Sequence, residues 1–243
     1  MTLGDLETLG LRPGDALFLD FDGTLAEIGP DPDAIRLPPS THEDLEILAG
    51  HLGGALAVIS GRDLRDLGSR VPAGLWRLGG HGIEVLPPGA APPPTTMEPA
   101  EGLLAPLVDV ASRPGVRLEI KGPVAAIHYR AAPDQEEACL AAAQAAARIV
   151  PGHVVQAGKM VVEVKPAAAH KGSSLTRLMQ APPFQGRRPI MLGDDTTDED
   201  AMAVAAGLGG LAVKVGPGPS IATLRAPDPG AVRAWLAREG SGG

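Results

Sequence analysis

Residues 16–21, Ala16-Leu17-Phe18-Leu19-Asp20-Phe21, form a short apolar run bounded by turn residues and carrying an acid near its end. A run of this kind reads as a strand of a parallel sheet buried on both faces, and such a strand needs helices to cover it. The chain supplies them. Ser40 to Leu52 has helical patterning, with Ser40 as the expected N-cap and Glu43 three positions later completing a capping box. Ala55–Ile59 reads as a second buried strand, Arg62–Val71 as a second helix and Trp76–Leu78 as a third strand. Near the C-terminus, Pro189–Leu192 and Leu211–Val215 read as strands flanking a helix from about Asp198 to Ala206. This alternation predicts an α/β fold with a doubly wound, Rossmann-like parallel sheet.

The middle of the chain breaks the alternation. Pro87–Pro99 is rich in proline and glycine and reads as a connector. A helix over about Pro99–Ser112 then leads into two strands, Val116–Lys121 and Val124–Arg130, with a turn at Gly122-Pro123. A second helix, Asp134–Ile149, is followed by Val154-Val155 and Met160–Val164, joined through a turn at Gly158. Along the first of these strands Arg117, Glu119 and Lys121 share one face. The pattern predicts a smaller α+β domain over 99–165, inserted between core segments 1–98 and 166–243. No low-complexity tract is evident except the glycine-rich tail after Arg238.

Composition narrows the partners. The 243 residues carry a net charge of -8, which argues against nucleic acid or an anionic membrane surface. Aromatics make up 2% of the chain, so alanine and leucine must build most of the core. The one cysteine, Cys139, cannot form an internal disulfide, and no signal peptide or membrane-spanning run is evident. A cytoplasmic monomer acting on a small molecule is expected.

Chemistry concentrates at strand ends. Asp20-Phe21-Asp22-Gly23-Thr24 closes the first strand, and ligands of open α/β sheets bind beyond the carboxyl ends of strands. A bend at Gly23 would turn both aspartates toward one pocket, while the Gly23 and Thr24 amides could hold phosphate oxygens. An isolated Asp-x-Asp also serves as an ordinary turn or helix cap. Gly193-Asp194-Asp195-Thr196-Thr197-Asp198 closes another strand, and this density of carboxylates calls for a hard cation. Ser60-Gly61-Arg62 opens a helix after the second strand, where an anion is favoured, and Lys171 precedes a later helix.

In this order, Asp-x-Asp-Gly-Thr, Ser-Gly-Arg, Lys-Gly and Gly-Asp-Asp-x-x-Asp resemble the haloacid dehalogenase-like phosphatases, which commonly carry an inserted cap domain. The resemblance implies that Asp20 is the nucleophile, Asp22 the general acid and base, and that Ser60 and Lys171 grip the phosphoryl group. It further implies Mg²⁺ held by Asp20, Asp22 (through its carbonyl) and Asp194, with Asp198 acting through water. Gly23, Thr24, Gly61, Arg62 and Asp195 fall among the expected substrate contacts.

A second set of polar residues comprises Gly80-His81-Gly82-Ile83-Glu84, before the insert, and Leu118-Glu119-Ile120-Lys121, Ile127-His128-Tyr129-Arg130, Gly158-Lys159 and Glu163 within it. These resemble trehalose-6-phosphate phosphatases. The resemblance implies that Glu119, Lys121, Arg130, Lys159 and Glu163 read a disaccharide, with His81 and Glu84 as further contacts. His170 departs from that pattern, where asparagine is expected before the Lys-Gly pair. A phosphatase of a sucrose phosphate or mannosylglycerate phosphate type would need only a different cap, and an inactive regulatory module is the remaining alternative. The insert is expected to open and close over the core, with hinges near 87–99 and 165–166.

Overall fold

The computed structural model describes residues 4–29, 31–94, 97–158 and 160–242. They divide into two compact units, one of residues 1–92 and 170–243 and one of residues 93–169.

The strands of the first unit are β1 (Gly4–Asp5), β2 (Asp15–Asp20), β3 (Leu56–Ile59), β4 (Trp76–Gly79) and β5 (Glu84–Leu86) before the insert. Those of the second are β6 (Arg117–Lys121), β7 (Val124–His128), β8 (His153–Gly158) and β9 (Val161–Pro166). The first unit resumes with β10 (Arg188–Gly193), β11 (Leu211–Val215) and β12 (Leu224–Ala226). Its eight strands run in the order β1-β12-β11-β10-β2-β3-β4-β5, parallel throughout except for the antiparallel β4–β5 pair. β2 lies between β10 and β3, and every residue in it is buried. Such burial explains the unbroken apolar run, since a central parallel strand has no wet face.

The helices are α1 (Pro39–His51), α2 (Leu64–Gly68), α3 (Ala105–Ala111), α4 (Glu136–Ile149), α5 (Lys171–Leu178), α6 (Thr196–Gly207) and α7 (Pro229–Ser241). In the first unit α1 packs on α7 and α5 on α6. The core is mostly leucine, alanine and valine, with Phe18 stacked on Phe184 at 5.2 Å and Trp76 edge-on to Phe184. In the second unit α3 and α4 cover one face of the antiparallel sheet β6-β7-β9-β8 around Leu107, Ile127, Cys139, Val162 and Val164. No described helix is long and apolar enough to cross a membrane.

Several boundaries differ from expectation. α1 begins at Pro39, so Ser40 lies inside the first turn and makes no cap; proline at the first position presets the helical φ instead. α2 shrinks to five residues because Asp63, whose carboxylate accepts from the Asp66 amide, sets its start. α3 starts only at Ala105, since Gly102 at φ +82° cannot continue a helix. α4 likewise starts late, after a 3-10 turn over Pro133–Gln135. Met160 takes a positive φ of 61°, so β9 begins one residue later than expected. α7 runs into the glycine-rich tail as far as Ser241, capped by Asp228 and anchored by buried Val232, Trp235 and Leu236. Trp235 donates its indole N–H to the Leu9 carbonyl at 2.8 Å.

Candidate active site

Strand register assembles the site. Leu192 of β10 pairs with Leu19, and Asp20 pairs with Ile59 of β3. The residues just past the ends of β10 and β3, Asp194 after Gly193 and Ser60 after Ile59, therefore emerge beside Asp20 at the carboxyl edge. After β2 the chain folds back tightly, with Leu25 and Ala26 amides donating to the Phe21 carbonyl. Gly23 takes φ +86°, and a Cβ there would lie 2.2 Å from Asp194 Oδ2, so only glycine admits the Asp194 carboxylate. Thr24 is fully buried, and its hydroxyl has no hydrogen-bond partner among the described residues.

Lys171 is the first residue of α5, one position further in than expected. Its Nζ donates to Asp20 Oδ1 at 2.6 Å and to Asp198 Oδ1 at 2.7 Å, and all three side chains are almost wholly buried. Asp198 Oδ2 accepts the amides of Asp194 and Asp195, while Asp195 caps α6 by accepting from the Thr197 amide. Burial pushes Asp20 well above the usual carboxylate value; Lys171 pulls it down, and Asp198 and Asp194 push it up further. Burial, then Asp195 and Asp198, push Asp194 up to about 6. Burial works against the charged Lys171, but Asp198 and Asp20 hold its pKa above normal.

These acids fit a cation. Oxygens of Asp20, Asp194 and Asp198 lie within 4.8 Å of one another, and one ammonium cannot neutralise three carboxylates. Both oxygens of Asp198 are already engaged, whereas Asp20 Oδ2 and the Asp194 carboxylate make no hydrogen bond among the described residues. Hard divalent cations take such oxygen donors. Lys214, on β11, donates to the Asp194 and Val215 carbonyls and fixes this loop; its buried position in a strand gave no signal of that in the sequence.

Ser60 is buried, and its hydroxyl accepts from the Arg62 amide. Gly61 abuts the His81 ring, which an added Cβ would approach to 2.8 Å. Arg62 does not stand free toward a ligand: Nε and Nη2 donate to both oxygens of Asp22 at 2.8 and 2.7 Å, and Nη1 donates to Asp66 at 2.7 Å. His81 is buried at φ 57° within the turn Gly80–Gly82. That turn is tied to α5, because Ser174 Oγ and Arg177 Nη2 both donate to the Gly82 carbonyl. Neither residue stood out in the sequence. Glu84 is buried and accepts from the Leu64 amide at the start of α2. His170 caps α5 through Nδ1, which accepts from the Ser173 amide at 3.4 Å. The hydrogen-bonding atom of an asparagine cap is thus replaced, and the lysine keeps its place.

In the second unit, Glu119, Ala126, Glu163 and Gln156 form one row across β6, β7, β9 and β8. Lys121 Nζ lies 3.7 Å from both Glu119 and Glu163, and His128 Nε2 lies 2.7 Å from Glu119 Oε2. The His128 hydrogen bond is the largest influence holding Glu119 below its usual value; burial opposes it, and Lys121 adds to it. Arg130 is exposed in the turn after β7, and Lys159 lies outside the described residues.

The family model described as trehalose-phosphatase matches residues 18–226. The trehalose-6-phosphate phosphatase of Escherichia coli is 40% identical over 242 residues, covering 95% of this chain and 88% of the relative. A probable trehalose-phosphate phosphatase of Sinorhizobium fredii is 43% identical, covering 83% of this chain and 78% of that one. The C-terminal domain of the Candida albicans trehalose-6-phosphate phosphatase shares the fold, with a TM-score of 0.76 at 21% identity, covering 99% of this chain and 98% of that domain. The chain belongs to the trehalose-phosphatase family and is a phosphatase.

Proposed function

We propose that the protein hydrolyses trehalose 6-phosphate to trehalose and phosphate through a phosphoryl group carried transiently on Asp20. The contact between Asp20 and Lys171, in an acid cluster at the strand ends, carries the chemical reading. The relatives' names, with the charged row on the second unit, carry the substrate.

Asp20 Oδ2 attacks phosphorus while the bond from phosphorus to the sugar oxygen breaks. Asp22 gives that oxygen a proton, so trehalose leaves as an alcohol. Asp22 then takes a proton from water as the water oxygen attacks phosphorus. The bond to Asp20 breaks, inorganic phosphate leaves, and the carboxylate is restored. Splitting one slow hydrolysis into two displacements is the gain of the covalent route. Lys171 fixes Asp20 Oδ1 and places positive charge beside the phosphoryl oxygens. Ser60, with the Gly23 and Thr24 amides, is assigned to those oxygens as well. Mg²⁺, held by Asp20, the Asp22 carbonyl and Asp194, would supply charge that offsets repulsion between the carboxylate and the phosphate dianion. Asp198 serves this site by holding Lys171 and the 194–195 amides. Glu119, Lys121, Arg130, Lys159 and Glu163 are assigned to the sugar hydroxyls.

The test is phosphate release from a panel of sugar phosphates, with Mg²⁺ and with EDTA. Mg²⁺-dependent release from trehalose 6-phosphate, far above the others, is expected. Release from sucrose phosphate with trehalose 6-phosphate inert would keep the mechanism and overturn the substrate.

A further inference from the structure

Asp22 must hand over a proton and later accept one, yet the structure commits both its oxygens to a single guanidinium. Arg62 meets them with a two-pronged contact at 2.8 and 2.7 Å, and its own side chain is only 10% exposed. The Asp22 side chain is 32% exposed, so it is the two-pronged geometry that sets this pair apart from a loose surface contact. Arg62 is in turn held from behind. Nη1 donates to Asp66 Oδ2, Nη2 also reaches the Pro32 carbonyl at 3.1 Å, and its guanidinium carbon lies 5.4 Å from the centre of the Phe21 ring. The other Asp66 oxygen accepts from Nε and Nη2 of Arg70, which is 2% exposed. Arg70 Nη1 closes the set on the Ile35 carbonyl.

Asp22, Arg62, Asp66 and Arg70 therefore form one continuous chain of charge-assisted hydrogen bonds, and its arginines also grasp the segment 32–35. Residues 62, 66 and 70 recur every four positions, although α2 itself spans only 64–68. A five-residue helix has little stability of its own. The ladder, with the Asp63 cap and the Glu84 contact at the Leu64 amide, holds it in place. The Arg62 and Arg70 side chains are 10% and 2% exposed while Asp66 is 30% exposed, and an apolar contact would secure a short helix as well as this ladder does. What an apolar contact could not do is fix the direction of the Arg62 fork.

We propose that Asp66 and Arg70 are positioning residues for the reaction: they lock the Arg62 guanidinium, and Arg62 sets the place and orientation of the Asp22 carboxyl. The proposal rests on the acid and base role given to Asp22 above. Neither Asp66 nor Arg70 touches substrate; both act through Arg62. Misplacing a reacting group by about 1 Å costs on the order of 100-fold in rate, so a loosened ladder reads out in turnover before it reads out in binding.

The experiment measures kcat and KM for trehalose 6-phosphate in the wild type, Asp66→Asn, Asp66→Glu and Arg70→Lys, each checked for folding by its thermal midpoint. Asp66→Asn is expected to lower kcat by about 10- to 100-fold with KM changed less than about threefold. Arg70→Lys loses the two-pronged grip and is expected to lower kcat in the same direction. Asp66→Glu should recover part of the loss. A structural role alone would not produce the decisive result: in an Asp22→Asn background, Asp66→Asn should lower the residual turnover by less than about twofold, because the group it positions is gone. An equal loss in both backgrounds, or an unchanged kcat in folded Asp66→Asn and Arg70→Lys, overturns the proposal and leaves the phosphatase reading intact. A wild-type protein inert toward every sugar phosphate overturns that reading, and the positioning role with it.

Discussion

Lys171 Nζ lies 2.6 Å from Asp20 Oδ1, across 151 residues of chain. Two local facts create the contact. β2 ends in the middle of the sheet with Asp20 at its tip, and α5 begins at Lys171, anchored by Ser174 and Arg177 to the Gly82 carbonyl. The ammonium also holds Asp198, so a single lysine organises both the end of β2 and the loop after β10.

Replacing Lys171 by methionine should therefore leave buried carboxylates facing one another. Loss of one partner of a buried ion pair costs about 3–5 kcal/mol. Urea unfolding without Mg²⁺ should show a loss of that order, and added Mg²⁺ should recover a clear part of it. An equal loss with and without Mg²⁺ would count against a cation among these acids.

Gly23→Ala tests the turn. The new Cβ would meet the Asp194 carboxylate at a φ of +86°, which disfavours any side chain. Weaker Mg²⁺ binding and turnover reduced by about tenfold or more are expected, read by metal titration and phosphate release. Wild-type metal affinity in this variant would mean that Asp194 is not a ligand.

Acid titration probes the ladder independently of activity. Burial would raise the Asp66 pKa, but its hydrogen bonds to Arg70 and Arg62 outweigh that and hold it below the ordinary 3.8. The folded state thus binds fewer protons there than the unfolded chain. The stabilisation is present above pH 3.8 and fades as pH falls through the lowered folded value. Chemical denaturation should show the stability gap between wild type and Asp66→Asn narrowing below that pH. A gap that stays constant down to about pH 2.5 would show that Asp66 is not paired this way in solution.

On the second unit, Glu119 is held ionised by His128 and Lys121, as an acceptor for sugar hydroxyls should be. Glu119→Gln is expected to raise KM for trehalose 6-phosphate by about 10-fold or more with kcat changed little, since a hydrogen bond to a charged group contributes about 1.5–3 kcal/mol. Steady-state kinetics on a monosaccharide phosphate should show a smaller change. Equal effects on both substrates would remove Glu119 from disaccharide reading.

Much of this is legible in the sequence alone. The unbroken apolar run of β2 announced a central parallel strand, and Asp20, Ser60 and Asp194 were placed correctly at strand ends because parallel register aligns those ends. The Ser40 cap fails because Pro39, just before it in the sequence, takes the first helical position and places the serine inside the first turn. α7 was hidden by glycines that its buried Trp235 outweighs, a tertiary contact with Leu9 far away in sequence. Arg62 was read as a ligand contact; that its fork points at Asp22 depends on the distance between two loops, which spacing cannot encode. Lys214 and Arg177 escaped notice for the same reason, since each acts on a backbone carbonyl of a distant turn.

The most direct test of the central claim is rapid quenching of the wild type and Asp20→Asn with trehalose 6-phosphate and Mg²⁺, followed by mass analysis of the peptide bearing residue 20. The wild type should release phosphate and carry a transient phosphoryl group on Asp20, while Asp20→Asn does neither. Phosphate release that survives in Asp20→Asn, or a phosphoryl group on another residue, would contradict the account.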